Sequence, residues 1–148
     1  MKIFRAAQVP SERGDPETFS GDVERSTLAS DKTGTPVNVY RVAFEPGART
    51  HWHTHNGPQW LLIVEGRIRI QVLGEAPQEA VAGDAIVIPP GEKHWHGAAP
   101  SSRGVHLAVN VNAATNWMEP VTDEQYLAGP SNRCVLRDGL RAFRSPSC

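Results

Sequence analysis

This chain of 148 residues is short of cysteine, of surplus charge and of long apolar runs, and each shortage excludes something. Its two cysteines, Cys134 and Cys148, both fall in the last segment and cannot cross-link the middle of the chain, so a reducing, cytoplasmic location is the expectation. Lys and Arg number 15 against 16 Asp and Glu, which gives no electrostatic case for nucleic acid or for a membrane surface. No apolar stretch approaches the ~20 residues that a membrane-spanning helix needs, and the start at Met1 lacks the apolar core of a secretion signal. There is no internal repeat and no low-complexity segment. A length of 148 residues suits one domain with a real core.

Turn-forming residues, by contrast, are plentiful. Gly (13) and Pro (12) are scattered as punctuation between short alternating segments, and an all-β architecture follows. A strand is predicted over 37–44, with Asn38, Tyr40, Val42 and Phe44 on one face. Further strands are predicted over 59–65, where Leu61 and Ile63 share the face of Gln59, and over 67–72, with Ile68, Ile70 and Val72 inward. Short strands follow at 80–82 and 85–88, with a turn at Gly83 and Asp84. Residues 105–112 divide into an apolar face (Val105, Leu107, Val109, Val111) and a polar face (His106, Asn110, Asn112). A helix is predicted near 123–128, with Thr122 as N-cap, Gln125 closing a capping box, and Gly129-Pro130 as the stop.

The residues that carry chemistry sit in two turn-bounded segments. The first, from Gly47 to Gly66, holds His53, His55 and Gln59; the second, from Gly83 to Ala98, holds His94. A His-x-His pair on a strand points both imidazoles to one face, and neutral imidazoles are common ligands for divalent first-row metals. Alternation gives His96 the direction of His94. His51 shares the parity of His53 but lies in a turn, which suggests a rim position. Trp52, Trp60, Trp95 and Trp117 read as core or interface residues, and Trp60 faces away from Gln59. In the last stretch Arg133, Arg137, Arg141 and Arg144 recur near helical spacing. They read as an amphipathic tail packing on its own domain or a second subunit, or as a basic arm for a partner or a phosphate-bearing ligand.

With both segments in view the chain resembles a monocupin of the cupin superfamily. Gly47, His53, His55 and Gly66 match the first cupin motif, with Gln59 where most members carry Glu. Gly83, Pro89, Gly91 and His94 match the second. The resemblance implies a double-stranded β-helix, a jelly-roll-type barrel, with a short C-terminal helical tail. The chain then divides into an N-terminal arm and edge strand (1–30), a barrel holding motifs at 47–66 and 83–98 (31–120), and a helix with a basic tail (121–148). Residues 44–50, 52–55, 90–100, 106–108, 117–119 and 121–126 are also similar to bacterial cupins that include the manganese-dependent (R)-selective hydroxynitrile lyases. That similarity implies a metal held by His53, His55, Gln59 and His94, with His96 and His106 in the pocket and His106 as the base. Pairing of edge strands into a homodimer is implied as well. Departures at Tyr40, His51, Asn56-Gly-Pro58, Trp60, Ile86 to Ile88 and Asn110 leave the ligand set intact and alter the cavity wall.

Three neutral imidazoles and an amide leave a divalent charge uncompensated, which favours anionic ligands and strengthens polarisation of a carbonyl or hydroxyl. The donor set suits manganese, with iron, nickel, cobalt and zinc also compatible. The expected function is a metal-dependent enzyme acting on a small hydroxylated or carbonyl substrate, foremost a hydroxynitrile-lyase-like C–C lyase. Tyr40, Val42, Leu61, Asn110 and His51 are the candidate pocket residues. An iron- or manganese-dependent dioxygenase and a non-catalytic small-molecule binder are the alternatives.

Overall fold

The computed structural model describes residues 1–129; the readings placed on Arg133 to Arg144 and on both cysteines lie outside them. A 3-10 turn at Ala6–Gln8 precedes β1 (Glu12–Arg13), β2 (Phe19–Ser20), β3 (Val23–Asp31) and β4 (Val37–Phe44). Then follow β5 (Arg49–Thr50), β6 (His53–His55), β7 (Gln59–Val72) and β8 (Gln78–Val81). The chain continues through β9 (Ala85–Ile88), β10 (His94–Ala98), β11 (Gly104–Val111) and β12 (Thr115–Trp117) to α1 (Asp123–Leu127). All strand pairs are antiparallel and run in the order β1-β3-β4-β11-β7-β10-β5-β2, with β8 and β9 on β7, β6 on β10 and β12 on β6. The sheet curls into a half-barrel, the mostly-β fold expected. No helix among the described residues is long and apolar enough to cross a membrane.

β7 makes the curl. The two separate strands predicted around Gly66 form one strand of 14 residues that serves both halves of the barrel. Its first half pairs with β9 and β11, its second with β8 and β10. At the crossing Gly66 has φ 64°, and a Cβ there would lie 1.9 Å from the Arg103 carbonyl oxygen, so only glycine fits. Next to it the β7–β11 register shifts, Val105 facing Glu65 and His106 facing Ile63. Val64 and Glu65 are both exposed, as a β-bulge requires.

Two apolar clusters hold the fold. Phe44, Leu61, Ile63, Ile68, Ile70 and Ile88 belong to the larger, in the barrel interior. Trp52, Trp95, Val121 and Tyr126 form a second cluster around α1. The helix has the predicted capping box, Thr122 accepting from the Gln125 amide and Gln125 from the Thr122 amide. Its five residues are too few to be stable alone, so tertiary contacts hold it. Tyr126 donates to the Ala98 carbonyl at 2.7 Å, and the Arg49 guanidinium stacks on the Tyr126 ring at 4.5 Å while bonding the Val121 carbonyl and Asp123.

Candidate metal centre and cavity

Four strands aim polar side chains into one end of the barrel. In β6 the His-x-His alternation buries His53 and His55 while Thr54 between them is half-buried. His53 faces His94 directly across the β6–β10 ladder, with ring centroids 4.2 Å apart. His96 follows on β10, Gln59 opens β7, and His106 and Asn110 come from β11. The face of β11 with the polar side chains is therefore the interior one: His106 is fully buried and Asn110 nearly so.

The second nitrogen of each ring decides what the first can do. His53 Nδ1 lies 2.9 Å from the His51 carbonyl oxygen and His94 Nδ1 lies 2.8 Å from that of Glu92. Carbonyl oxygens only accept, so both Nδ1 atoms carry the proton and both Nε2 atoms hold a free lone pair. His55 Nδ1 meets Thr115 Oγ1 at 3.0 Å. Gln59 donates its Nε2 to Asn110 Oδ1 at 2.8 Å, which turns its Oε1 the other way. His55 Nε2, Gln59 Oε1 and His94 Nε2 are left buried without any hydrogen-bond partner. Buried polar atoms in such a state cost stability unless something satisfies them, and a cation is one partner that lone-pair donors of this kind accept.

Among the described residues the three histidines whose candidate ligand atoms lie within 4.8 Å of one another are His53, His94 and His96, so these three could hold a metal ion, with His96 in the place expected for His55. His96 joins His106 as well, Nδ1 to His106 Nε2 at 3.0 Å, and both rings pack against Phe44. His96 thus stands between the metal-competent rings and His106, leaving His96 Nε2 and His106 Nδ1 unpartnered. Burial keeps all these imidazoles neutral: His94 is pushed down to about 4, His106 to about 3, and His53, His55 and His96 are lowered for the same reason.

A cavity of about 110 Å³ opens on this group. That is somewhat less than the ~150 Å³ that accommodates benzene, so a bound molecule is small or projects through the mouth. Tyr40, Val42 and Asn110 line the cavity. Leu61 instead lies in the apolar cluster, fully buried, and is not part of the cavity lining. His51 does not line it either. Trp60 is exposed on the outer face. Sequence reasoning missed Arg25, Thr115 and Trp117 in the wall, and Trp117 stacks on His53 at 4.6 Å. The pairing of β12 with β6 delivers the last two, and nothing local in residues 115–117 announces it. A larger groove of about 370 Å³ lies among Arg13, Asp22, Glu45 and Arg103, whose charges already pair with one another.

A half-barrel with inward imidazoles at its open end is cupin architecture. The cupin domain model matches residues 40–110, and the chain belongs to the cupin family. It is 43% identical over 129 residues to an (R)-mandelonitrile lyase of Granulicella tundricola, covering 85% of this chain and 98% of that one. A cupin-like protein of Thermotoga maritima superposes with a TM-score of 0.74 at 39% identity, over 77% of this chain and 89% of its own. The polyketide cyclase RemF of Streptomyces resistomycificus shares the fold at 20% identity, with a TM-score of 0.66 over 85% of this chain and 90% of its own.

Proposed function

We propose that this chain is a metal-dependent C–C lyase that cleaves a small cyanohydrin-type substrate. The observation that carries the reading is the 43% identity, spanning 98% of a relative named as an (R)-mandelonitrile lyase. The unpartnered His55 Nε2, Gln59 Oε1 and His94 Nε2, with His53 beside them, support a cation held by His53, His55, Gln59 and His94. Bound there, a divalent ion would supply Lewis-acid polarisation of the substrate oxygen. The donor set fits manganese, iron, cobalt, nickel or zinc, and manganese, the metal implied by the resemblance to the hydroxynitrile-lyase-like cupins, is the first to test.

His106 is the base, acting with His96. The pair is neutral and buried, each ring keeps one nitrogen free, and one proton is shared between them. Removing the hydroxyl proton turns the substrate C–O bond into a carbonyl, and the electron pair of the C–CN bond leaves with cyanide. The proton then passes to cyanide, so the products are a carbonyl compound and HCN. Phe44 packs against both rings of the pair, and Trp117 lines the cavity beside His53.

A second ligand set is favoured by one observation, the mutual proximity of His53, His94 and His96. Manganese titration separates the two: His55→Ala weakens binding in the first arrangement, His96→Ala in the second. The function itself is tested by metal analysis, then cyanide release from mandelonitrile and acetone cyanohydrin by manganese-loaded protein. No release above the buffer rate overturns the lyase reading, and oxygen uptake without cyanide would replace it with a dioxygenase. We also propose a homodimer. Exposed Trp60, Leu62 and Val64 on β7 and Val87 on β9 form an outward apolar row that supports it. Light scattering should give twice the chain mass, and Trp60→Glu with Val87→Glu should halve it.

A further inference from the structure

We propose that Arg25 is an anion-recognition residue at the cavity mouth and that the natural substrate carries a carboxylate. The inference rests on the cavity being the substrate site and goes beyond the lyase reading, because it concerns the end of the substrate remote from the histidines. Arg25 lies on β3 in register with Val42, which is itself in register with His106 on β11. Partners directly opposite in a sheet point to one face, so Arg25 shares the inward side of His106. Adjacent strands lie about 4.8 Å apart, which sets the Cα atoms of Arg25 and His106 roughly 10 Å apart across the ladder. With both side chains reaching into that gap, one small molecule can meet them with a hydroxyl at one end and an acid at the other.

The electrostatics are one-sided. Arg25 lines the cavity, and no other lining residue is an acid, a lysine or an arginine. Among the described residues its guanidinium makes no ion pair with Asp or Glu. Its Cζ lies instead over the Tyr40 ring, 5.2 Å from the centroid, a cation–π contact that leaves the N–H donors unused. Glu12 stands opposite Arg25 in the β1–β3 ladder without pairing with it, and a half-buried guanidinium with its donors unspent can take a carboxylate in bidentate fashion.

Titration calorimetry on the full-length, manganese-loaded protein tests this with lactate, 4-hydroxybutyrate and their neutral amides as probes. At least one acid should bind about tenfold or more tightly than its amide, the usual yield of a charge-assisted bond. Arg25→Gln should abolish that ratio, and Arg25→Lys should retain part of it, with melting temperature and metal content confirming that both variants fold. A ratio that persists in Arg25→Gln, or is absent from the wild type, overturns the inference. Cyanide release measured in parallel keeps the two readings apart: an Arg25-dependent ratio without cyanide release sinks only the lyase. Cyanide release without the ratio sinks only the carboxylate.

Discussion

His53 and His94 differ from His96 and His106 in what holds the second ring nitrogen. In the first two it is bonded to a backbone carbonyl, at 2.9 and 2.8 Å, so the tautomer is dictated and Nε2 is a permanent lone pair. In the second two the rings hold each other at 3.0 Å, and either can carry the shared proton. A fixed tautomer suits a ligand, whose job is to present electrons without change. A ring whose tautomer no carbonyl dictates suits acid–base work, because either of its nitrogens can be the one that accepts a proton. Under similar burial the four rings thus differ in hydrogen-bond partner, while His96 also lies within ligand distance of His53 and His94.

The comparison is broken most directly at His106. His106→Ala should lower cyanide release by on the order of 10²- to 10⁴-fold while metal content stays at the wild-type level. Equal loss of metal would show that the two groups are not separate. His94→Ala should do the converse, weakening manganese binding by on the order of 100-fold or more, since even partners of ligands cost about 10- to 100-fold. Metal content after dialysis measures it, and full retention would remove His94 from the ligand set.

Acid sharpens the contrast next. Unfolded imidazoles titrate near pH 6.5, whereas buried His94 is held at about 4 and His106 at about 3. As pH falls through that window, the unfolded chain binds protons that the folded chain refuses, so the metal-free protein loses stability below about 6.5, and the share owed to these two rings levels off below about 3. His94 alone accounts for about 3 kcal/mol. A melting temperature of metal-free protein that is flat from pH 7 to pH 4 would contradict the burial argument. The smallest effect is expected at Asn110→Leu. Freed from its acceptor, the Gln59 amide can rotate, and manganese affinity should drop about tenfold with the His96–His106 pair untouched.

What was legible in the sequence was local. The His-x-His alternation, the glycine-bounded turns and the Thr122–Gln125 capping box are written within a few residues each, and the barrel and α1 follow from them. The cavity wall is not local. Arg25, Val42 and His106 meet through two strand pairings across 81 residues of chain (106 − 25), and periodicity says nothing about which strands become neighbours. Leu61 shows the limit from the other side. It shares the face of Gln59, but two residues of depth separate a cavity from an aliphatic core. The inward polar face of β11 also inverts the usual alternation, because this barrel's interior is hydrophilic at one end.

His53 and His94 each take their anchoring oxygen from the peptide two positions earlier in their own chain, His51 and Glu92. Such an oxygen has no codon of its own. Substitution at 51 or 92 changes a side chain and leaves the acceptor in place, so these two rings are shielded from sequence drift as long as the local loop keeps its shape. The wall made of Tyr40, Val42 and Arg25 meets a ligand through side chains and has no such protection. Lineages sharing this barrel can therefore exchange what they bind while continuing to present the same imidazole edges.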